Sequence, residues 1–247
     1  MTVLDAPRHR ITRSRREPQR RSLTVTAVER LTPKMQRIGF ASPDLHDFAS
    51  DAPDDHIKLF FDDGVSGRCM RDYTPRRFDP ALGTLTIDFA LHQAGPATAW
   101  ALDARIGDQL DIGGPRGSTI IPDDFDWYLL IGDETALPAI GRRIEELRPG
   151  VPVISIVAVD GDGERQEFAT RADWMPRWVF RANASDDAAL LRRSLARITL
   201  PRGDGFVWIA AEANVARDLK DEIIDRLGHP PAWLKSSGYW TRGAAQE

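Results

Sequence analysis

Arg71-Asp72-Tyr73-Thr74-Pro75-Arg76-Arg77-Phe78 is the stretch on which the architecture turns. Side chains alternate faces along a strand, so Arg71 and Tyr73 project the same way about 7 Å apart, while Thr74 points opposite or rolls off at the strand end. A guanidinium in that place can hold a diphosphate, the phenol ring can lie against an isoalloxazine, and the threonine hydroxyl can reach a ring nitrogen or oxygen. The same tetrapeptide would equally serve an exposed strand with an Arg71–Asp72 ion pair, so the flanking sequence has to decide.

Downstream, Leu85, Ile87, Phe89 and Leu91 alternate with Thr86, Asp88, Ala90 and His92, the period of a strand with one buried face. Gly95-Pro96-Ala97-Thr98 then opens a short helix predicted over residues 96–106. Its first N–H groups and the helix dipole form an anion site, able to take the diphosphate that Arg71 would clamp from the other side. Asp88 and His92 share the polar face leading into that turn, where a carboxylate and an imidazole could meet the same ligand. Upstream, residues 22–41 read as two strands broken at Thr32-Pro33, and residues 56–61 as a third. Many short strands with one capping helix predict a closed antiparallel barrel of about six strands over residues 22–122.

After Pro122 the pattern changes. Residues 127–131 (WYLLI), 151–159 and 206–211 are continuous apolar runs, alternating with helical spacing over 136–147, 186–198 and 214–227. Residues 123–247 therefore predict a parallel sheet flanked by helices. Asp133, Glu134, Thr135 and Ala136 follow Gly132 at the carboxyl end of the first of these strands, where an open α/β sheet takes its ligand. Asp133 and Thr135 would equally serve as helix caps. No G-x-G-x-x-G follows a strand, which argues against an ordinary dinucleotide-dependent dehydrogenase. The end of the chain, Lys235 to Gly243, is compact, aromatic and basic, and Tyr239 with Trp240 is expected to pack into the domain junction.

Composition bounds the class. With 42% hydrophobic and 28% charged residues in 247, the chain is globular and can bury a core. No apolar run approaches the roughly 18 residues of a membrane span, and no apolar signal core follows the first charges, so a cytoplasmic protein is expected. A single cysteine, Cys69, excludes an internal disulfide and Cys-rich metal sites. The net charge of -4 hides a segment, residues 8–21, with seven arginines, one histidine and one acid. Residues 1–21 are expected to form a flexible basic arm; nucleic-acid binding is disfavoured because no recognition motif follows and the remainder is acidic.

RDYTPRRFD, DFALHQAGPATAWA, GDQLDIGGPRG, LLIGDETALPAI, FVWIAAEA and GYWTRG, in that order, resemble the siderophore-interacting proteins, flavin-dependent ferric-siderophore reductases related to ferredoxin reductases. The resemblance covers about residues 22–243. It implies an FAD-binding six-stranded antiparallel β-barrel followed by an NAD(P)-binding α/β domain, acting on a ferric siderophore with NADPH or NADH as donor and reduced ferredoxin as a further candidate. It also implies FAD contacts from Arg71, Tyr73, Thr74, Asp88, His92, Gly95, Pro96, Ala97 and Thr98, and a flavin and nicotinamide loop at Asp133, Glu134, Thr135 and Ala136, with Trp240 beside the cofactor. Thr98 stands where the family often has Ser, which keeps the hydroxyl. No catalytic side chain and no protein metal ligand is required, since iron arrives and leaves on its chelator. Ferric siderophores are often anionic, so Lys58, Arg116, Lys235 and Arg242 are the candidate substrate cations. Arg142, Arg143 and Arg165 are candidates for a 2′-phosphate, and a monomer is expected. A flavin-bound siderophore-binding protein and a general flavin reductase serving a partner are the alternative readings.

Overall fold

The computed structural model describes residues 8–62, 67–91, 95–181 and 186–243. Fourteen strands, β1 (Thr12–Arg15), β2 (Arg20–Thr32), β3 (Met35–Ala41), β4 (Ile57–Asp62), β5 (Arg68–Tyr73), β6 (Arg77–Asp79), β7 (Thr84–Ala90), β8 (Gln109–Gly113), β9 (Gly117–Ile120), β10 (Trp127–Asp133), β11 (Pro152–Val159), β12 (Asp173–Phe180), β13 (Gly205–Glu212) and β14 (Leu234–Trp240), alternate with helices α1 (Pro96–Asp103), α2 (Leu137–Glu146), α3 (Asp187–Leu195) and α4 (Ala213–Asp225). None of these helices is long and apolar enough to cross a membrane.

The first domain is an antiparallel sheet in the order β5-β4-β8-β2-β3-β7-β6. It corrects the expected closed six-stranded barrel. Seven strands curl around one core, but β5 and β6 end the order without pairing to each other, leaving a half-barrel with an open seam. Leu23, Ile38, Ile57, Leu59, Ile87, Phe89 and Ile112, all fully buried, fill its concave face, and α1 packs across β3, β4 and β7. Pro75, directly after Thr74, has no N–H with which β5 could continue a ladder, which fixes where that strand stops.

The second domain is a parallel sheet, β12-β11-β10-β13-β14, with β10 at its centre. Every residue of β10, β13 and all but the first of β11 is buried, as continuous apolar runs covered on both faces require. Gly132 is needed there: a Cβ would stand 2.6 Å from both the Ala136 Cβ and the Ala210 carbonyl oxygen. The residues after α4 form β14, a fifth parallel strand that the aromatic and basic reading of this segment had not resolved as a strand.

The N-terminal segment is not a loose arm from Arg8 onward. β1 pairs antiparallel with β9, and His9, its side chain 1% exposed, stacks on Phe125 at 3.9 Å. Its ring nitrogens meet Asp124 at 2.7 Å and Asp204 at 3.1 Å. Burial pulls the imidazole pKa down, but those two carboxylates outweigh it and the net shift is upward. A raised folded pKa stabilises below the unfolded value of about 6.5 and is lost as pH rises through the folded one. Hydrogen exchange of residues 10–15, corrected for intrinsic rates, is therefore expected to accelerate from about pH 6 to about pH 9, and a His9→Phe variant to lose that dependence.

The two domains are tied by charge. Arg76, its side chain 2% exposed, makes a two-pronged pair with Glu145 of α2 at 2.7 and 2.8 Å. Arg142, also buried, crosses the other way to the Ser50 hydroxyl and carbonyl, both 2.7 Å, and to the Pro75 carbonyl at 3.1 Å. Thr32 donates to Glu164 at 2.6 Å, and Lys34 pairs with Asp160.

Candidate functional site

β5 ends where the two domains meet. Its register with β4 pairs Tyr73 with Ile57 and Arg71 with Leu59, so both side chains share the concave face. The Tyr73 ring packs on Phe89 at 4.6 Å, and burial pushes its hydroxyl pKa up. The half-buried Arg71 guanidinium donates to its neighbour's Met70 carbonyl at 2.7 Å. The alternative Arg71–Asp72 pair does not form, because Asp72 faces the other side and meets Lys58 at 2.8 Å. One residue on, Thr74 is buried, with the Tyr239 side chain of β14 beside it. Burial raises the Tyr239 pKa too. The junction is thus closed by β5 from one domain and β14 from the other.

Gly95 caps α1 with no side chain of its own, at an extended φ of -117°. A Cβ added there would meet nothing within 4 Å. That open space, the α1 N-terminus behind it, the Arg71 cation and the Tyr73 ring are a donor set suited to a diphosphate joined to a flat apolar ring. Ala97 and Thr98, both buried, hold the first turn of α1 against the half-barrel core. Because Gly95 is unstrained and uncrowded, Gly95→Val is expected to leave the melting temperature unchanged while weakening flavin retention about 100-fold, by filling the space beside the helix N-terminus. Equal FAD affinity in variant and parent, measured by fluorescence titration, would place the diphosphate elsewhere.

Several expected ligands have other partners. Asp88, 2% exposed, is claimed by Arg37 through two 2.7 Å bonds across the β3–β7 ladder, with Arg76 at 3.6 Å, so it braces the junction from within the protein. His92 lies outside the described residues. Asp133 accepts from the Thr135 N–H at 2.9 Å and its hydroxyl, from the Glu212 N–H at 3.2 Å and from the Trp240 indole N–H at 2.9 Å. It anchors β13 and the end of β14 to the β10 turn. Glu134 pairs with Arg181 at 2.6 Å, and burial, then the adjacent Asp133 charge, raises its pKa. Ala136 is fully buried and precedes α2.

The four substrate cations do not form one cluster by contact. Lys58 projects from the convex face, opposite Tyr73; Arg116 is exposed after β8; Lys235 pairs with Asp54; and the Arg242 N–H meets Glu212 at 3.2 Å. Arg142 is committed to the junction and not available to a 2′-phosphate, while Arg143 is half-buried beside Asp54 and Trp208, where desolvation lowers its pKa. Sequence reasoning missed Arg76, and it set Arg142 aside for a 2′-phosphate rather than for the domain junction. The signal present was two arginines directly after Pro75, at a strand end with no apolar partner.

Residues 24–68 and 64–119 match the siderophore-interacting FAD-binding domain family, and residues 125–243 match the siderophore-interacting protein family. The chain is 32% identical to the NADPH-dependent ferric-chelate reductase of Escherichia coli (strain K12), over 92% of this chain and 95% of that protein. A siderophore utilization protein from T. fusca superposes with a TM-score of 0.89 at 34% identity, covering 96% of this chain and 98% of the other. The siderophore-interacting protein SipS from Aeromonas hydrophila does so at 0.79 and 25%, covering 92% and 93%. The same succession of half-barrel and parallel sheet recurs, as a likeness of fold, in ferredoxin reductases.

Proposed function

This chain belongs to the siderophore-interacting protein family, and from that premise we propose that it is an FAD-dependent ferric-siderophore reductase, carrying electrons from NAD(P)H one at a time to chelated Fe(III) and freeing Fe(II) in the cytoplasm. The observation that carries the reading is the junction itself. A half-buried tyrosine ring and a cation share one face of β5, which ends at the domain junction braced by ion pairs, and α1, with open space at its Gly95 cap, packs on the same half-barrel.

FAD, when bound, supplies a centre that takes up two electrons as a hydride and gives them out singly. The residues here bind and orient it. Arg71 and the α1 N-terminus offset the diphosphate charge; Tyr73 presents a flat apolar wall; Thr74, at the end of β5, sets the depth to which a ring can slide. Trp240, held by Asp133, screens the junction from water on the second domain's side. Thr135 and Ala136, at the carboxyl end of β10, stand where a nicotinamide would approach. Lys58, Arg116, Lys235 and Arg242 attract an anionic chelate to the rim, a long-range effect that does not require them to touch one another. Oxygen donors hold Fe(II) far less tightly than Fe(III), so one electron is enough to loosen the metal.

Anaerobic absorbance titration tests this. Purified yellow protein is expected to bleach on adding NADPH or NADH and to recolour on adding a ferric siderophore, with Fe(II) trapped by a ferrous chelator. Bleaching without recolouring would leave a flavin-bound binding protein or a reductase serving a partner. A preparation that takes up no FAD would reject the reading outright.

A further inference from the structure

The outer edge of the second domain holds a groove that the redox junction does not use. It lies between β12 and α3, has a volume of about 640 Å³, and is lined by Arg165, Arg177, Arg193 and Arg197, with Trp178 and Leu190 among its apolar contacts and no acidic side chain. Four guanidinium groups around one opening, in a chain of net charge -4, repel one another. A multiply charged anion removes that repulsion, and the planar donor fork of arginine matches phosphate. Arg165 is held in place by Asp162 at 2.7 Å and by the Phe180 ring 5.2 Å beneath it, and the half-buried Trp178 gives the groove an aromatic wall on which a flat ring can stack.

β12 is an edge strand, which would ordinarily invite an added strand from a peptide. Pro176, in the middle of it, carries no N–H and breaks that ladder. The fitting ligand is therefore compact, with charge at one end and a flat body at the other. We propose that this groove is a binding site for a nucleoside polyphosphate, separate from the flavin junction. β12 and β14 are the two opposite edges of the sheet, four strand spacings or roughly 19 Å apart. The proposal does not depend on the reductase reading.

Isothermal titration of the FAD-loaded full chain with ATP, and with pyrophosphate as the charge-only probe, tests it. ATP is expected to bind at least about tenfold more tightly than pyrophosphate, since only ATP reaches the aromatic stack. An Arg193→Ala/Arg197→Ala variant, both positions exposed, is expected to lose at least about tenfold in ATP affinity with unchanged melting temperature and chelate reduction. Saturating NADPH should leave the ATP isotherm unaltered. Equal ATP affinity in parent and variant would overturn the site, equal affinity for pyrophosphate would overturn the nucleoside, and abolition of ATP binding by NADPH would overturn its separateness by making the groove the donor's own phosphate pocket. Arg177→Ala is a second variant, on the strand side, expected to weaken ATP binding in the same direction.

Discussion

Replacing Asp133 by alanine is expected to lower the unfolding free energy by roughly 3–5 kcal/mol and to release the Trp240 indole from the junction. The carboxylate is 1% exposed and serves two backbone N–H groups, a hydroxyl and an indole N–H drawn from three segments of the second domain. Removing it strands those donors, the Glu212 N–H fully buried and the others partly so, at about 1–3 kcal/mol for a fully buried one before relaxation. Asp133→Asn, which keeps one accepting oxygen, should fall between. Urea unfolding reads the stability, and acrylamide quenching of the indole fluorescence reads the release. A loss below about 1 kcal/mol would mean that the anchor is redundant.

Replacing Glu145 by leucine should cost about 3 kcal/mol and split one thermal transition into two, because Arg76 would be left buried without its main counter-charge. The companion variant Arg76→Met/Glu145→Leu should recover most of that loss, since a buried pair replaced by packed apolar groups is near neutral. Burial alone would raise the Glu145 pKa, but Arg76 and then Arg77 outweigh it, and the net shift is downward. A depressed carboxylate stabilises above its unfolded value of about 4.3 and loses that contribution as pH falls through the folded one. The parent should therefore uncouple its domains in acid, below about pH 4, and the double variant should not. Coincident single transitions in the Glu145→Leu protein would show that the domains are joined by other contacts.

The local sequence carried the parts of the fold that are local. Period-two alternation in residues 85–92 and apolar runs in residues 127–131 and 151–159 named their strands and faces, because burial on one side or on both is written in consecutive residues. The closure of the first sheet is not local. Whether β5 meets β6 depends on curl accumulated over seven strands, and composition gives no measure of it. The site divides along the same line. The placement of Tyr73 on the inner face of its strand and of Gly95 at a helix start was legible because strand parity and helix-start chemistry fix them locally. The ion pair of Asp88 was not, because its partner, Arg37, lies 51 residues away across a ladder, and a carboxylate in a polar row gives no sign of being already taken. The seven-arginine segment misled in the opposite sense: its charge suggested looseness, while one histidine, seated between Asp124 and Asp204, fixes it.

The crossed Arg76 and Arg142 braces have a bearing on what such a molecule can accept. On the proposed reading, halves pinned from both sides leave a bulky iron complex at the rim, its organic periphery largely unread. Discrimination is then expected to rest on reduction potential and overall charge, and chelators of unrelated skeleton but similar charge should be turned over at comparable rates.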